Sequence, residues 1–454
     1  MANKKRNGKK SPAKSADSIL KSLKFGVEFE LFTLDEQGRM IYNADKIMKK
    51  VKESAKQIDA VKECGKNMLE INSFPHTDIP DVMQKTLDDF ELVLHCAEKE
   101  NTVLYSYGTY PGEFMPKMNR DRGCKIKENI FGKNRFMIAA RCIGLHCHYS
   151  LPWGVFDPVK KVIKHLVNSK NKQSMVNAYN LFIAMDPALI TFAQSSPFYQ
   201  GKHLGKDSRV IAYRGGDILK YPPGLYTNYP DFGMLQPYKV TGTDLLQIIK
   251  HRFDSWSDVL KKVDMNLKVF MKHGSILDTT WNPVKISSHG TIEQRGMDMC
   301  HPRLVIALAT LIQYISKEVQ EKFVQVLPSD IGLTEPFKKE GNVIYIPPHT
   351  HVRFDLQLKS AYNGMEDKLV HNYCKGLLKL AKLYIPKSKY PLIAPLEKMI
   401  TEKKTVSDHI LADARKLGAK ESISNKQAAE LALKHSKDLF KEIIMTKQII
   451  KGLT

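Results

Sequence analysis

Phe-Gly-Val-Glu-Phe-Glu-Leu-Phe, residues 25–32, has the apolar and aromatic content of a β-strand, but Glu28 and Glu30 interrupt it two residues apart. Residues i and i+2 of a strand point to the same face. Both carboxylates therefore stand on one side, and Val27, Phe29 and Leu31 on the other. The pattern recurs three times. Glu70 and Asn72 lie in Met-Leu-Glu-Ile-Asn, His146 and His148 in Ile-Gly-Leu-His-Cys-His-Tyr-Ser, and Glu293 and Arg295 in Gly-Thr-Ile-Glu-Gln-Arg-Gly. One such pair ordinarily marks the solvated face of a half-covered sheet. Four of them in otherwise apolar segments point to a shared sheet with one polar wall, which no apolar core could accept unpaired.

Such a wall gathers carboxylates, two imidazoles and an arginine. Glu28, Glu30, Glu70 and Glu293 with one or two imidazoles are hard oxygen and borderline nitrogen donors, suited to Mg²⁺ or Mn²⁺ rather than structural zinc. Arg295 beside Glu293, with Arg209 and Arg214 flanking Val-Ile-Ala-Tyr, suggests an anionic ligand such as phosphate. Lys285 in Trp-Asn-Pro-Val-Lys could reach the same face. Cys147, between the two histidines, turns to the opposite face and reads as a small core residue.

Outward from these segments, the chain alternates strands and helices. Strands are expected at 24–33, 67–72, 102–108, 142–150, 277–286 and 290–298. Helices are expected at 43–57 and 81–100, twice within 157–195, at 242–262 and after Pro302. Residues 111–141 read as a loop with short helices, and 196–240 as a long functional loop or lid. The composite is α+β: helices cover one face of a sheet, and the polar pairs occupy the other. Residues 1–20 read as a disordered basic tail, 21–335 as the catalytic domain and 336–454 as a lysine-rich helical C-terminal region.

Composition limits the function classes. At 454 residues with 43% hydrophobic and 26% charged content, the chain suits a globular protein with a large core. No stretch approaches the roughly 20 apolar residues of a membrane span, and the first ten residues lack a signal-peptide core. Seven scattered cysteines without a Cys-x-x-Cys spacing argue against a disulfide framework. A cytoplasmic location is expected. The net charge of +22 is diffuse and lacks the aromatic-plus-basic motif of an RNA-binding module, so a site handling several anions accounts for it better than nucleic acid does.

The ordered series of short segments resembles the carboxylate–amine ligases of the second glutamate–cysteine ligase group. The matching segments are Gly-Val-Glu-Phe-Glu (26–30), Leu-Glu-Ile-Asn (69–72), Gly-Thr-Tyr-Pro (108–111), Gly-Leu-His-Cys-His (144–148), Gln-Ser-Ser-Pro-Phe-Tyr-Gln-Gly (194–201), Tyr-Arg (213–214), Trp-Asn-Pro-Val-Lys (281–285) and Gly-Thr-Ile-Glu-Gln-Arg-Gly-Met-Asp (290–298). The resemblance implies a glutamine-synthetase-like fold, whose curved antiparallel sheet forms an open ATP funnel backed by helices. It also implies a reaction in which ATP phosphorylates a carboxylate, commonly the γ-carboxylate of glutamate, and an amine attacks the acyl phosphate. Carried over by position, Glu28, Glu70, His148 and Glu293 look like metal ligands, with Glu30 beside them and His146 a further candidate. Arg295 and Arg214 look like groups that stabilise the transferring phosphoryl; Arg209, Arg214 and Lys285, from their residue types and placement, are the expected ATP contacts. The family frequently has Arg where Lys285 stands, and the segment 201–209 matches only loosely, which leaves substrate identity open.

Two function classes follow. The first is an ATP- and Mg²⁺-dependent ligase whose partners are amino acids and ATP, with cysteine as the simplest amine; a guanido-kinase-like phosphotransferase is a variant on the same fold. The second is a non-catalytic polyanion-binding protein. Homo-oligomerisation is compatible with either.

Overall fold

The computed structural model describes residues 23–164, 169–272 and 274–453. The expected basic tail at 1–20 lies outside these residues. The strands, in chain order, begin with β1 (Phe25–Leu34), β2 (Asp59–Lys62), β3 (Met68–Asn72), β4 (Val103–Tyr105) and β5 (Gly144–Ser150). Two short hairpins follow, β6 (Phe156–Asp157) with β7 (Val162–Ile163) and β8 (Phe198–Tyr199) with β9 (Lys202–His203). Next come β10 (Val284–Ile286), β11 (Thr291–Asp298) and the small sheet of β12 (Gln325–Pro328), β13 (Lys339–Glu340) and β14 (Val343–Ile346). The principal helices are α1 (Ala44–Ser54), α2 (Ile79–Glu98), α3 (Arg122–Phe131), α4 (Lys170–Ala193), α5 (Ser208–Arg214) and α6 (Gly242–Lys262). They continue with α7 (Pro302–Glu321), α8 (Gln357–Asn363), α9 (Lys368–Tyr384), α10 (Tyr390–Glu402), α11 (Val406–Lys416) and α12 (Asn425–Lys451).

The main sheet is seven-stranded in the order β10-β11-β5-β1-β3-β2, with β4 pairing to β1. Every pairing in it is antiparallel. The four strands that carry the polar pairs are thus contiguous. Register brings the pairs side by side: Glu28 faces His146 on one side and Asn72 on the other, Glu30 faces Glu70, and Glu293 faces His148. On the opposite face Val27, Phe29, Leu31 and Cys147 are buried against helices. Phe29 packs on Phe90 of α2 with ring centroids 5.8 Å apart. Full burial of such a ring stabilises by about 1.5–3 kcal/mol. Helices α2, α4 and α7 back the sheet, and α7 also packs against α9, α10 and α12 of the C-terminal region.

Several expectations shift. Among the described residues, 157–195 hold one long helix, α4, rather than two, because 156–163 form the hairpin β6–β7 instead. Only Val284–Ile286 of the 277–286 segment is strand, preceded by a 3₁₀ turn at Ile276–Asp278. Edge strand β2 and the β12–β14 sheet went unforeseen, being short and without clear alternation. The 196–240 segment is not a bare loop. It contains α5, capped by Asp207, whose carboxylate accepts from Val210 N at 2.8 Å; such caps are worth about 1 kcal/mol. Helix α6 begins at the expected place, with a capping box between Thr241 and Asp244.

Candidate active site

The polar face of the sheet forms one wall of a 290 Å³ cavity. A second apolar cluster roofs it, with Phe131, Phe136, Leu225 and Tyr226 lining the cavity. Under that roof the polar wall is buried: Glu30, Glu70, His146 and Glu293 are each less than one-tenth exposed. Burial raises the cost of every unpaired charge there, so the arrangement of partners decides what the wall can hold.

Glu28 is the hub. Its Oε2 lies 2.6 Å from His146 Nδ1 and its Oε1 2.9 Å from His148 Nε2. Burial pushes this carboxyl up, but hydrogen bonds from both imidazoles more than reverse the effect and hold it below the usual carboxylate range. His148 Nδ1 lies 2.9 Å from Thr291 Oγ1, which orients its ring. Burial lowers the His148 pKa, and the Glu28 and Glu293 carboxylates together outweigh it and raise it; His146 is lowered by burial and by Arg295.

Glu30 is a different case. Its Oε2 accepts from Gly144 N at 2.5 Å and its Oε1 lies 3.6 Å from His146 Nε2. Burial, then the nearby Glu63 carboxylate, pushes it up to about 8. Glu70 is pushed up by burial and by Glu63, Glu28 and Glu30. Carboxylates crowded in this way repel one another, and a cation between them relieves the repulsion.

The donor geometry fits that reading. One ligand atom each from Glu28, His146 and Glu293 lie within 4.8 Å of one another, and so do those of Glu30, Glu70 and His146. His146, a further candidate from the sequence, joins both groups. His148 belongs to neither and instead holds Glu28. Oxygen-rich donor sets with one imidazole suit Mg²⁺ or Mn²⁺.

The cations stand at the other end of the wall. Glu293 Oε1 pairs with Arg295 Nη1 at 2.9 Å, and its Oε2 lies 3.5 Å from Lys285 Nζ. Burial raises the Glu293 pKa, but Lys285, Arg295 and His148 bring it down to about 2. Strand β11 shifts register between Gln294 and Met297, a bulge that leaves two carbonyls unpaired. Arg209 takes them: Nη1 donates to Gly296 O at 3.1 Å and Nη2 to Arg295 O at 3.3 Å. Its Nε is buried without a partner, its guanidinium lies 5.1 Å over the Tyr213 ring, and it forms no ion pair with a carboxylate among the described residues. Arg209 is therefore a buried cation available to an anion in the cavity.

Arg214 also reaches the cavity wall, but its fork is already occupied. Nη1 and Nη2 bind Asp186 at 2.6 and 2.9 Å, and Nη1 meets Gln357 Oε1 at 2.5 Å. Sequence reasoning missed Asp186, hidden in an apolar helix, and Glu63, a lone acid with no i+2 partner. It also missed the aromatic end of the cavity. There Tyr226 and Trp281 stack 6.4 Å apart and Lys127 Nζ sits 5.0 Å over the Trp281 ring. Trp281 alone had a signal, in Trp-Asn-Pro-Val-Lys.

Residues 24–334 match glutamate-cysteine ligase family 2 (GCS2). The chain belongs to that family. Among solved structures, a glutamate–cysteine ligase from Francisella tularensis in complex with AMP is similar in fold. The TM-score is 0.58 at 10% identity, over 95% of this chain and 93% of that one. A bifunctional glutathione synthetase from Pasteurella multocida is similar at TM-score 0.55 and 11% identity, over 96% of this chain. The chain spans 57% of that longer protein. No curated protein matches the chain in sequence. No helix among the described residues is long and apolar enough to cross a membrane.

Proposed function

We propose that the protein joins the γ-carboxylate of glutamate to the amine of cysteine, using ATP and Mg²⁺ or Mn²⁺. The observation that carries this reading is the pair of donor groups sharing His146, set beside the unpaired buried guanidinium of Arg209. Acids that crowd together at one end, with Arg209, Arg295 and Lys285 at the other, match what a metal–triphosphate complex presents.

In the first step a carboxylate oxygen of the substrate forms a bond to the γ-phosphorus, and the β–γ bridging oxygen leaves with its electron pair as ADP. In the second the amine nitrogen attacks the acyl carbon, the carbon–oxygen bond to phosphate breaks, and the amine loses a proton. Glu28, Glu30, Glu70, Glu293 and His146 would hold the divalent ions, which neutralise charge on the phosphates when bound. His148 orients Glu28. Arg295 stabilises the transferring phosphoryl, while Arg209 and Lys285 bind the anionic part of the nucleotide or the acid substrate. Arg214, expected to share the phosphoryl task, acts here by fixing α5 and through it Arg209.

Glu293→Gln tests the reading. It retains shape and removes one charge, so turnover should fall on the order of 100-fold or more while the circular dichroism spectrum stays that of the parent. A folded variant with full activity would overturn the assignment of Glu293.

A further inference from the structure

We infer that Lys127 binds the α-carboxylate of the amine substrate, so that the acceptor is an α-amino acid with a small uncharged side chain rather than a simple amine or an ester. In the ligase reading of the cavity, on which this rests, that carboxylate has no other assigned partner.

Besides its histidines, the cavity is lined by the cations Lys127, Arg209, Arg214, Lys285 and Arg295. All but Lys127 already engage protein groups. Arg214 holds Asp186, Lys285 and Arg295 flank Glu293, and Arg209 donates to two carbonyls of the β11 bulge. Among the described residues, Lys127 Nζ forms neither an ion pair nor a hydrogen bond. It is half-buried and sits 5.0 Å over the Trp281 ring. The ring face attracts the ammonium but fills none of its three donors.

Trp281 is one side of a box. Phe131 meets it edge-on at 6.1 Å, Tyr226 lies nearly parallel to it at 6.4 Å, and Phe131 and Tyr226 meet edge-on at 5.4 Å. These three rings and Lys127 all line the cavity. Lys127 and Phe131 are four apart on α3 and therefore share a helix face. Asp121 caps that helix, accepting from Cys124 N at 2.9 Å. Just beyond it, Arg135 donates to Pro222 O at 3.1 Å and Gly224 O at 2.6 Å, which fixes the turn carrying Tyr226. Trp281 N donates to Phe232 O at 2.6 Å. Protein contacts alone thus hold the box and place its one ammonium.

The chemistry of the box selects its occupant. Phosphate oxygens set against three rings would lose hydration without gaining enough donors. Glutamate brings two carboxylates and no apolar end. An α-amino acid such as cysteine offers the rings a small apolar group and Lys127 a single carboxylate, and leaves its nitrogen for the acyl carbon.

Steady-state kinetics of the full-length protein test this with cysteine, with cysteamine, which lacks the carboxylate, and with cysteine methyl ester. The parent should prefer cysteine to either by about tenfold or more in kcat/KM. Lys127→Gln should raise the KM for cysteine about tenfold or more and erase that preference, with the KM values for ATP and glutamate within about twofold of the parent. Lys127→Arg should keep most of the preference. The substitution removes no protein hydrogen bond, so the variant should fold normally, which circular dichroism checks. A merely structural role would move all three KM values together. An unchanged cysteine KM in Lys127→Gln, or a shift in the ATP or glutamate KM in its place, would overturn the role of Lys127, while γ-glutamylcysteine made by the parent would keep the ligase reading. No γ-glutamyl amide from any amine would overturn both.

Discussion

Arg214 grips Asp186 with both terminal nitrogens, at 2.6 and 2.9 Å, at a position where Asp186 has no exposed surface. Gln294 Nε2 donates to the same Asp186 oxygen at 2.9 Å, so one carboxylate ties α5, α4 and β11 together. Gln357 of α8 closes the network from the C-terminal region, which is also fastened to α4 by Ser360 Oγ on Pro187 O and Tyr373 OH on Ala184 O.

Asp186→Asn should therefore leave Arg214 as an uncompensated buried charge. Urea unfolding should show a loss of about 3–5 kcal/mol. Adding Arg214→Gln should recover part of that loss, because the orphaned charge is then gone. A single variant costing under about 1 kcal/mol would mean that the clamp does not hold α5 in place.

Glu30→Gln should separate stability from activity. Glu30 and Glu70 repel each other and Glu63, so without added metal the variant should be as stable as the parent or about 1 kcal/mol more so. With Mg²⁺ or Mn²⁺ at about 100 times its dissociation constant, the parent should gain about 2.7 kcal/mol and the variant clearly less. Thermal melts in chelator and in metal measure both. Equal metal-dependent shifts in the two proteins would place the ion elsewhere.

Gly144→Ala acts on Arg209. A Cβ at Gly144 would lie 2.2 Å from Arg209 Nη2, nearer than atoms can approach, so the guanidinium must leave its two bulge carbonyls. Turnover should fall about 100-fold, with the larger change in KM for whichever substrate Arg209 binds. An unchanged KM for every substrate would remove Arg209 from the site.

His435 on α12 gives a pH signature. Burial lowers it to about 4 and lowers His301 to about 3, and both rings pack on Tyr107. A histidine with a depressed folded pKa is neutral when folded, so below its unfolded value near 6.5 the unfolded chain takes up the proton first. Stability from this group is intact above about pH 6.5 and declines as pH falls toward 4. By pH 5 the parent should have lost about 2 kcal/mol from His435 relative to His435→Gln. Parallel stability–pH curves for the two proteins, measured by denaturant unfolding between pH 7 and 5, would contradict this.

The alternation of Glu28 and Glu30 with Val27, Phe29 and Leu31 made the sheet's two faces legible, because a period of two leaves no other arrangement. It could not give strand order, which depends on long-range pairing, nor the register that sets Glu28 against His146. Arg209 and Arg214 stood out in the sequence as cations flanking Val-Ile-Ala-Tyr, and Arg214 also by resemblance, but their opposite states did not. Which of them meets a carboxylate depends on Asp186, itself placed among apolar residues that mark it only as part of a buried helix. Glu63 carries no local pattern at all; only the fold brings it to Glu30 and Glu70. The burial of the polar wall was likewise hidden, since its roof comes from segments 122–140 and 225–281, far away in sequence.

The most direct test of the central claim is to incubate the protein with ATP, Mg²⁺, glutamate and a panel of amines that includes cysteine. ADP release and the mass of the product are then followed. The account predicts one ADP per γ-glutamyl amide formed, with γ-glutamylcysteine as the product. ADP with a phosphorylated guanidine and no amide, or no turnover with any amine in the folded protein, would contradict it.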